Sequence, residues 1–341
     1  DLSVAGWDER RRYTITRTSV ALLLREVVSM RRFGSLVFGS SFQRRPYNNS
    51  TGATRIMSTR EFGSNTNRQH YESHTAESYE SAFFYSPGAY TAHVRELVQQ
   101  ALHLNSDHLS YRRLLDIGGG TGNFTKLLLD NSPVLKEAVV VDPFLSTVHD
   151  NSENGISFVK ASSDDFMKGN SRTNNESLPS WRQNYHQVLL KEVVHHFDEQ
   201  HRTSIFRGIR QGLIDMTETN STDSPPSILI ITRPHRNIDY PLWPAALEVW
   251  AANQPSAHEL SENLKGAGFS SVHQWIEPYQ CETTLEQWLN MVRARFWSTF
   301  SNFSDKELEE ACQYISNHAK LQPDGKTIKF EDRLVFITAR K

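Results

Sequence analysis

The chain has 341 residues, 37 of them Lys or Arg and 39 Asp or Glu, for a formal net charge of −2. That length is enough for one large domain with a substantial core, and the balanced charge removes any global argument for nucleic acid as the partner. No apolar run approaches the roughly 18 residues that would span a bilayer. The two cysteines, Cys281 and Cys312, show no metal-ligand spacing with histidine, so a reducing, intracellular compartment and no metal are expected.

Residues 1–70 differ from the rest in composition. Val27 to Arg60 contains six arginines, no lysine and no acid, interleaved with Ser, Phe and Gly. This is the composition of an organellar transit peptide, mitochondrial or plastid. The alternative is a disordered extension, or sequence preceding a start at Met30 or Met57, because the chain opens on Asp1; without import the location is cytoplasmic. Tyr71, Tyr79, Phe83, Phe84, Tyr85 and Tyr90 then crowd a short span, and Val94, Leu97, Val98, Ala101 and Leu102 recur at helical spacing.

Leu114-Leu-Asp-Ile-Gly-Gly-Gly-Thr-Gly-Asn-Phe-Thr125 reads as a buried strand, a glycine-rich turn and a helix starting near Asn123. Glycines suit a backbone that must turn tightly and approach a ligand. A dinucleotide fingerprint would need glycine at 123, where asparagine stands. The pattern present is Asp116-x-Gly118-x-Gly120-x-Gly122. After it, Ala138-Val-Val-Val-Asp142 is a second buried strand ending in an acid, about where a ribose-binding carboxylate belongs in a nucleotide-binding βαβ unit.

The Asp116 to Gly122 pattern resembles motif I of the class I S-adenosylmethionine (SAM)-dependent methyltransferases, and the likeness extends over roughly residues 110–340. It implies a Rossmann-like α/β fold: a seven-stranded mixed sheet with helices on both faces, a methyltransferase domain over 71–341, and an N-terminal helical lid over 71–110. It also implies that the glycine turn, with Gly119, packs on the methionine moiety of SAM and that Asp116 supports its ammonium group. Asp142, Pro143 and Lys191 would complete the cofactor contacts. Tyr85 and Tyr90 are the lid residues placed to meet an acceptor, or simply pack the lid onto the sheet.

Ile156–Lys160 reads as the third strand. An adenine contact follows it in the family, and Ser162, Ser163 and Asp164 are the candidates here. Tyr185–Leu190 is the fourth strand, and Lys191-Glu-Val-Val-His-His-Phe197 leaves its carboxyl end, where open α/β sheets bind ligands. His195 or His196 could serve as a general base, since imidazole titrates near neutrality, or could merely pack. A helix over Glu199–Leu213 leads to a fifth strand, Ser227–Arg233. The excursion Pro234–Trp250 beyond it is where acceptor specificity is expected, with Arg233, His235, Tyr240 and Trp243 as candidates.

Ser256-x-x-Glu259 is a capping box for a helix that stops at Gly266-Ala-Gly268, and Val272–Ile276 would be strand six. Leu285, Trp288, Leu289, Val292 and Phe296 form a helical stripe through Trp297, with Arg293 and Arg295 largely off it as candidates for an acceptor carboxylate or for surface acids. Ser304-x-x-Glu307 caps a helix to about Ala319, and Arg333–Ala339 is the closing strand, which in the family inserts antiparallel beside strand five.

Methyl transfer from a sulfonium asks the protein for positioning and desolvation more than for acid–base chemistry. The leading expectation is a SAM-dependent methyltransferase acting on a small-molecule nitrogen, oxygen or sulfur nucleophile, which suits the aromatic-rich sequence. An RNA or protein methyltransferase is the runner-up; the Asn/Asp-Pro-Pro-Tyr segment that would favour it after strand four is missing. A non-catalytic SAM-fold scaffold is the third reading, and the acids at 116 and 142 argue against it.

Overall fold

The computed structural model describes residues 87–106, 111–145, 155–163, 165, 184–215 and 225–341. The proposed targeting segment, Tyr85 and Asp164 lie outside them. The elements run α1 (Pro87–Ala101), β1 (Arg112–Ile117), α2 (Asn123–Asp130), β2 (Leu135–Val141), β3 (Ile156–Val159), β4 (Gln187–Lys191), α3 (Glu199–Gly212) and β5 (Ser227–Thr232). They continue with α4 (Pro244–Asn253), α5 (Ala257–Gly266), β6 (Ser270–Thr284), α6 (Leu285–Arg293), α7 (Asp305–His318) and β7 (Thr327–Arg340). The strands form one sheet in the order β3-β2-β1-β4-β5-β7-β6. Pairing is parallel from β3 to β5, and β7 inserts antiparallel beside β5. This is the seven-stranded mixed sheet expected.

The alternation of side chains along each strand divides the core in two. Leu114, Leu189, Leu229, Ile231 and Phe336 face one side with α1, α2, α4, α6 and α7. Leu115, Ile117, Val188, Leu190, Ile228 and Ile337 face the other with α3 and α5. Every residue of β5 is buried, as a central strand covered on both faces requires.

Three boundaries differ from expectation by several residues, the first being β7, which begins at Thr327 instead of Arg333. Strand β6 runs eight residues past Ile276, to Thr284, and pairs with β7 over that length. Pro278 lies within it, which is tolerated because β6 is the edge of the sheet and a missing N–H there breaks no ladder. Helix α6 stops at Arg293 instead of reaching Trp297. Arg295 takes a left-handed φ of 51°, and the N–H groups of Arg295 and Phe296 return to the carbonyls of Val292 and Met291. That is a Schellman termination built on arginine where glycine is usual. Both expected capping boxes, at Ser256 and Ser304, have their two reciprocal hydrogen bonds.

Candidate functional site

Strand β1 ends in the glycine turn and lies between its parallel neighbours β2 and β4, the point from which the strand order proceeds to one side through β2 and to the other through β4. The turn therefore sits at the topological switch point, outside the carboxyl ends of the strands. Gly118 and Gly120 have φ of 76° and 54°, a region that L side chains rarely enter. Their surroundings differ. A Cβ on Gly118 would lie 2.4 Å from the Val193 side chain, whereas one on Gly120 would meet nothing within 4 Å. Gly118 is thus required by packing against the segment after β4, and Gly120 faces open space. A Cβ on Gly119 would collide with the Asp116 carboxylate at 2.6 Å. Gly122 is the N-cap of α2, in the left-handed region and with no side-chain cap.

A contrast follows from this geometry. Gly120→Val should leave the protein folded, at a cost of about 1–2 kcal/mol for the left-handed backbone, while lowering ligand affinity at the turn at least tenfold. Gly118→Val should unfold or severely destabilise it. Urea unfolding and SAM titration of the two variants separate these outcomes; intact binding by Gly120→Val would make the turn purely structural.

Two acids flank the turn. Asp116 is buried beneath it and accepts a hydrogen bond from the Thr125 hydroxyl. Burial pushes its carboxyl up to about 6, with the nearby Asp142 charge adding to the rise, against the Thr125 hydrogen bond and the Lys191 charge. Asp142, at the end of β2, accepts the Gly120 N–H at 3.1 Å on one oxygen and the Phe144 N–H at 2.8 Å on the other. Each oxygen keeps a lone pair for a ligand hydroxyl. Pro143 and the ring of Phe144 are exposed beside it. At the end of β3, Ser162 is occupied locally: its hydroxyl donates to the Asp165 carboxylate at 2.8 Å and accepts the Asp165 N–H at 3.1 Å. Ser163 is half-buried next to it.

The segment after β4 brings Lys191, Glu192 and His195 to the same edge. The Lys191 ammonium lies 5.3 Å over the Phe124 ring and 4.0 Å from Glu192. His195 and His196 stand on a short 3₁₀ turn with ring centroids 3.9 Å apart. Burial, reinforced by the Arg233 charge, pushes the His195 imidazole down to about 4. A ring that weakly basic is neutral at pH 7, and this environment disfavours the general-base role considered for it.

The acceptor candidates beyond β5 are largely committed to one another. Arg233 is buried, donating from Nε to Tyr240 Oη at 2.7 Å and, from Nε and Nη2, to Asp332 at 3.1 Å each; Nη1 donates to Glu192. The Tyr240 hydroxyl also donates to Asp332, as does that of Tyr90 on α1, at 2.9 Å. Arg233, Tyr240 and Tyr90 therefore form a buried network around Asp332 in place of the free contacts anticipated. Trp243 is buried against Phe300 and Phe303. His235 opens elsewhere, onto a mixed-charge cleft of about 380 Å³ shared with Glu199, Arg202 and Glu259. Arg293 pairs on the surface with Glu309, and Arg295 with Asp305 and the Phe303 carbonyl. Carboxylates of the protein already occupy both guanidinium groups, so an acceptor carboxylate is left without a ready partner there.

Glu192, Asp332, Thr125 and Phe144 are the residues at this edge that the sequence did not single out. Among the described residues, no group of three or more His, Cys, Asp or Glu is arranged to hold a metal ion. No helix among them is long and apolar enough to cross a membrane.

The family described as a methyltransferase domain matches residues 90–274. No curated protein matches the chain. Among solved structures, the YcgJ protein of Bacillus subtilis aligns at 14% identity over 73% of this chain and 98% of its own, with a TM-score of 0.46. A SAM-dependent methyltransferase of Archaeoglobus fulgidus aligns at 15% identity over 74% and 94%, TM-score 0.40. The cyclopropane synthase MmaA2 of Mycobacterium tuberculosis aligns at 14% identity over 72% and 83%, TM-score 0.42. Similarity at this level adds nothing to the strand order, on which the fold is argued.

Proposed function

Because the chain belongs to the class I SAM-dependent methyltransferases, with SAM as its methyl donor, we propose that it methylates a small-molecule acceptor at a nitrogen, oxygen or sulfur atom. The observation that carries this reading is the charge of the cleft edge. Asp116, Asp142, Glu192 and Asp332 are answered there by Lys191 and Arg233. Asp142 and Glu192, the acids here that keep some exposure, stand with Lys191, so this edge carries no excess of positive charge to draw the phosphates of an RNA, which suits a small neutral or cationic acceptor.

The residues fit SAM. The open space over Gly120 accommodates backbone-close ligand atoms, Asp142 has a lone pair on each oxygen for the two ribose hydroxyls, and buried Asp116 gains a counter-charge in the SAM ammonium. Phe144, exposed beside Asp142, offers a face to the adenine. Of the expected lid only residues 87–106 are described, and there α1 is anchored to the sheet through Tyr90. The arginine-rich segment ahead of them would deliver the enzyme to an organelle.

When bound, SAM supplies a methyl group already activated by the sulfonium charge. The protein's share is to hold the acceptor in line and exclude water. Incubating the full chain with SAM carrying a deuterated methyl group and a metabolite extract tests the proposal by mass spectrometry. Label in a small molecule is expected. Label confined to RNA or protein would select the macromolecular alternative, and bound SAM without any transfer the non-catalytic one. Asp142→Ala should weaken SAM binding by about 1–3 kcal/mol, the range for hydrogen bonds to a charged group; calorimetry showing unchanged affinity would remove Asp142 from the site.

A further inference from the structure

Glu192 is the first residue beyond β4, at the carboxyl edge of the sheet. Its φ of 57° is a conformation that a side-chain-bearing residue keeps only where its surroundings impose it. Here its N–H donates to the Ile231 carbonyl at 2.7 Å, extending the β4–β5 ladder by one residue, and one carboxylate oxygen accepts from Arg233. The other oxygen, Oε1, is closed off from solvent and accepts no hydrogen bond, with Lys191 Nζ at 4.0 Å. Burial opposes the charge, yet Arg233 and Lys191 outweigh it and hold the carboxyl below its ordinary range. Val193, next in the chain, packs against Gly118 of the glycine turn. The oxygen that lacks a hydrogen bond thus belongs to the segment packed on the glycine turn, on a side chain fixed by a guanidinium that Asp332 holds in turn.

A buried acceptor without a donor is costly and uncommon. We propose that its partner is an N–H of the methyl acceptor: the acceptor is an amine, and Glu192 holds it with the nitrogen lone pair turned toward the donor methyl group. This rests on the small-molecule methyltransferase reading and sharpens it. In the transfer the nitrogen lone pair forms the N–C bond while the C–S bond breaks and its electron pair passes to sulfur. The products are S-adenosylhomocysteine and an N-methylammonium, whose proton leaves to solvent. Positive charge thus moves from sulfur to nitrogen, and a fixed carboxylate at the nitrogen interacts more strongly with the transition state than with the neutral amine.

Other acceptors fit less well. An alcohol, phenol or thiol attacks best as its anion, which would face the Glu192 carboxylate, whereas an amine attacks as its neutral free base, having left the ammonium proton to solvent beforehand. A thioether gains positive charge yet has no hydrogen to donate.

The test uses the full chain, SAM with a deuterated methyl group, and a metabolite extract divided in two. One half is first treated with succinimidyl acetate, which acylates primary and secondary amines. The labelled product should carry the methyl group on nitrogen by tandem mass spectrometry and vanish in the acylated half. Glu192→Gln, which still accepts from Arg233 but presents an N–H to the acceptor, should form it at least tenfold more slowly while binding SAM within twofold of the parent. Label on oxygen, sulfur or carbon, surviving acylation, overturns the proposal; so does undiminished N-methylation by the variant. If Glu192→Gln fails to fold, as thermal melting would reveal, the acylation arm decides alone. Label absent from all small molecules overturns the underlying reading, and the amine assignment with it.

Discussion

Asp116→Asn is expected to stabilise the unliganded protein by about 2–3 kcal/mol at pH 8 while weakening SAM binding more than tenfold. The carboxyl is fully buried and lifted to about 6, first by burial and then by the neighbouring Asp142 charge. Its folded value lies above the unfolded one of about 3.9. The protonated carboxyl therefore favours the folded state at low pH, and that contribution is lost as the pH rises through about 6. A rise of about two units corresponds to roughly 3 kcal/mol at 1.36 kcal/mol per unit. Asparagine carries no charge to desolvate and can still accept from Thr125, so the cost disappears, and the advantage of the variant should shrink as the pH falls from 6 toward 4. The binding side has the opposite sign. The SAM ammonium pairs with the ionised carboxylate, so affinity of the parent should rise between pH 5 and 7 and binding near pH 6 should release a proton. Urea unfolding across that range, and calorimetry in buffers of different ionisation enthalpy, read the two effects separately. A variant less stable than the parent at pH 8 would show that the Thr125 and Lys191 interactions exceed the burial cost. Binding without proton release would detach Asp116 from the ammonium.

What the sequence discloses and what it hides divide along physical lines. Strands β1, β2, β4 and β5 are covered on both faces over most of their length, so each shows a short apolar run, and the glycine turn is fixed by local spacing. Capping boxes are likewise local, three residues from end to end. The second half of β6 is not: Glu277 to Thr284 alternates between exposed and covered positions at a sheet edge, contains Pro278, and becomes a strand only because β7 pairs with it. The end of α6 is concealed because Arg295 holds the left-handed position that would normally announce itself as glycine. The buried charged network is the hardest to foresee. Arg233 meets Asp332 across 99 residues and Glu192 across 41, separations on which no periodicity or motif bears. Reading Arg233, Tyr240 and Tyr90 as free acceptor contacts placed them at the correct edge of the sheet; it missed that Asp332 gathers all three.

Arg233→Met should cost the fold about 3–5 kcal/mol, the scale of removing one partner from a buried ion pair. Methionine fills much of the volume, so the loss would come from charge: Asp332 is fully buried and Glu192 nearly so, and both would be left without the guanidinium that neutralises them. Two further measurements distinguish this from a packing defect. With Arg233 gone, only the Lys191 charge still opposes burial at Glu192, and its carboxyl moves up. The variant should then recover part of its stability as the pH falls from 8 to 5, which a cavity would not produce. Adding Asp332→Asn to Arg233→Met should also restore stability, because it removes one of the orphaned charges. Hydrogen exchange offers a structural reading of the same event. Tyr90 ties α1 to Asp332, so amides of α1 should lose protection in Arg233→Met before those of β4 and β5. An unfolding midpoint unchanged at both pH values would mean that water reaches these acids without the arginine, and that the network is looser than its hydrogen bonds imply.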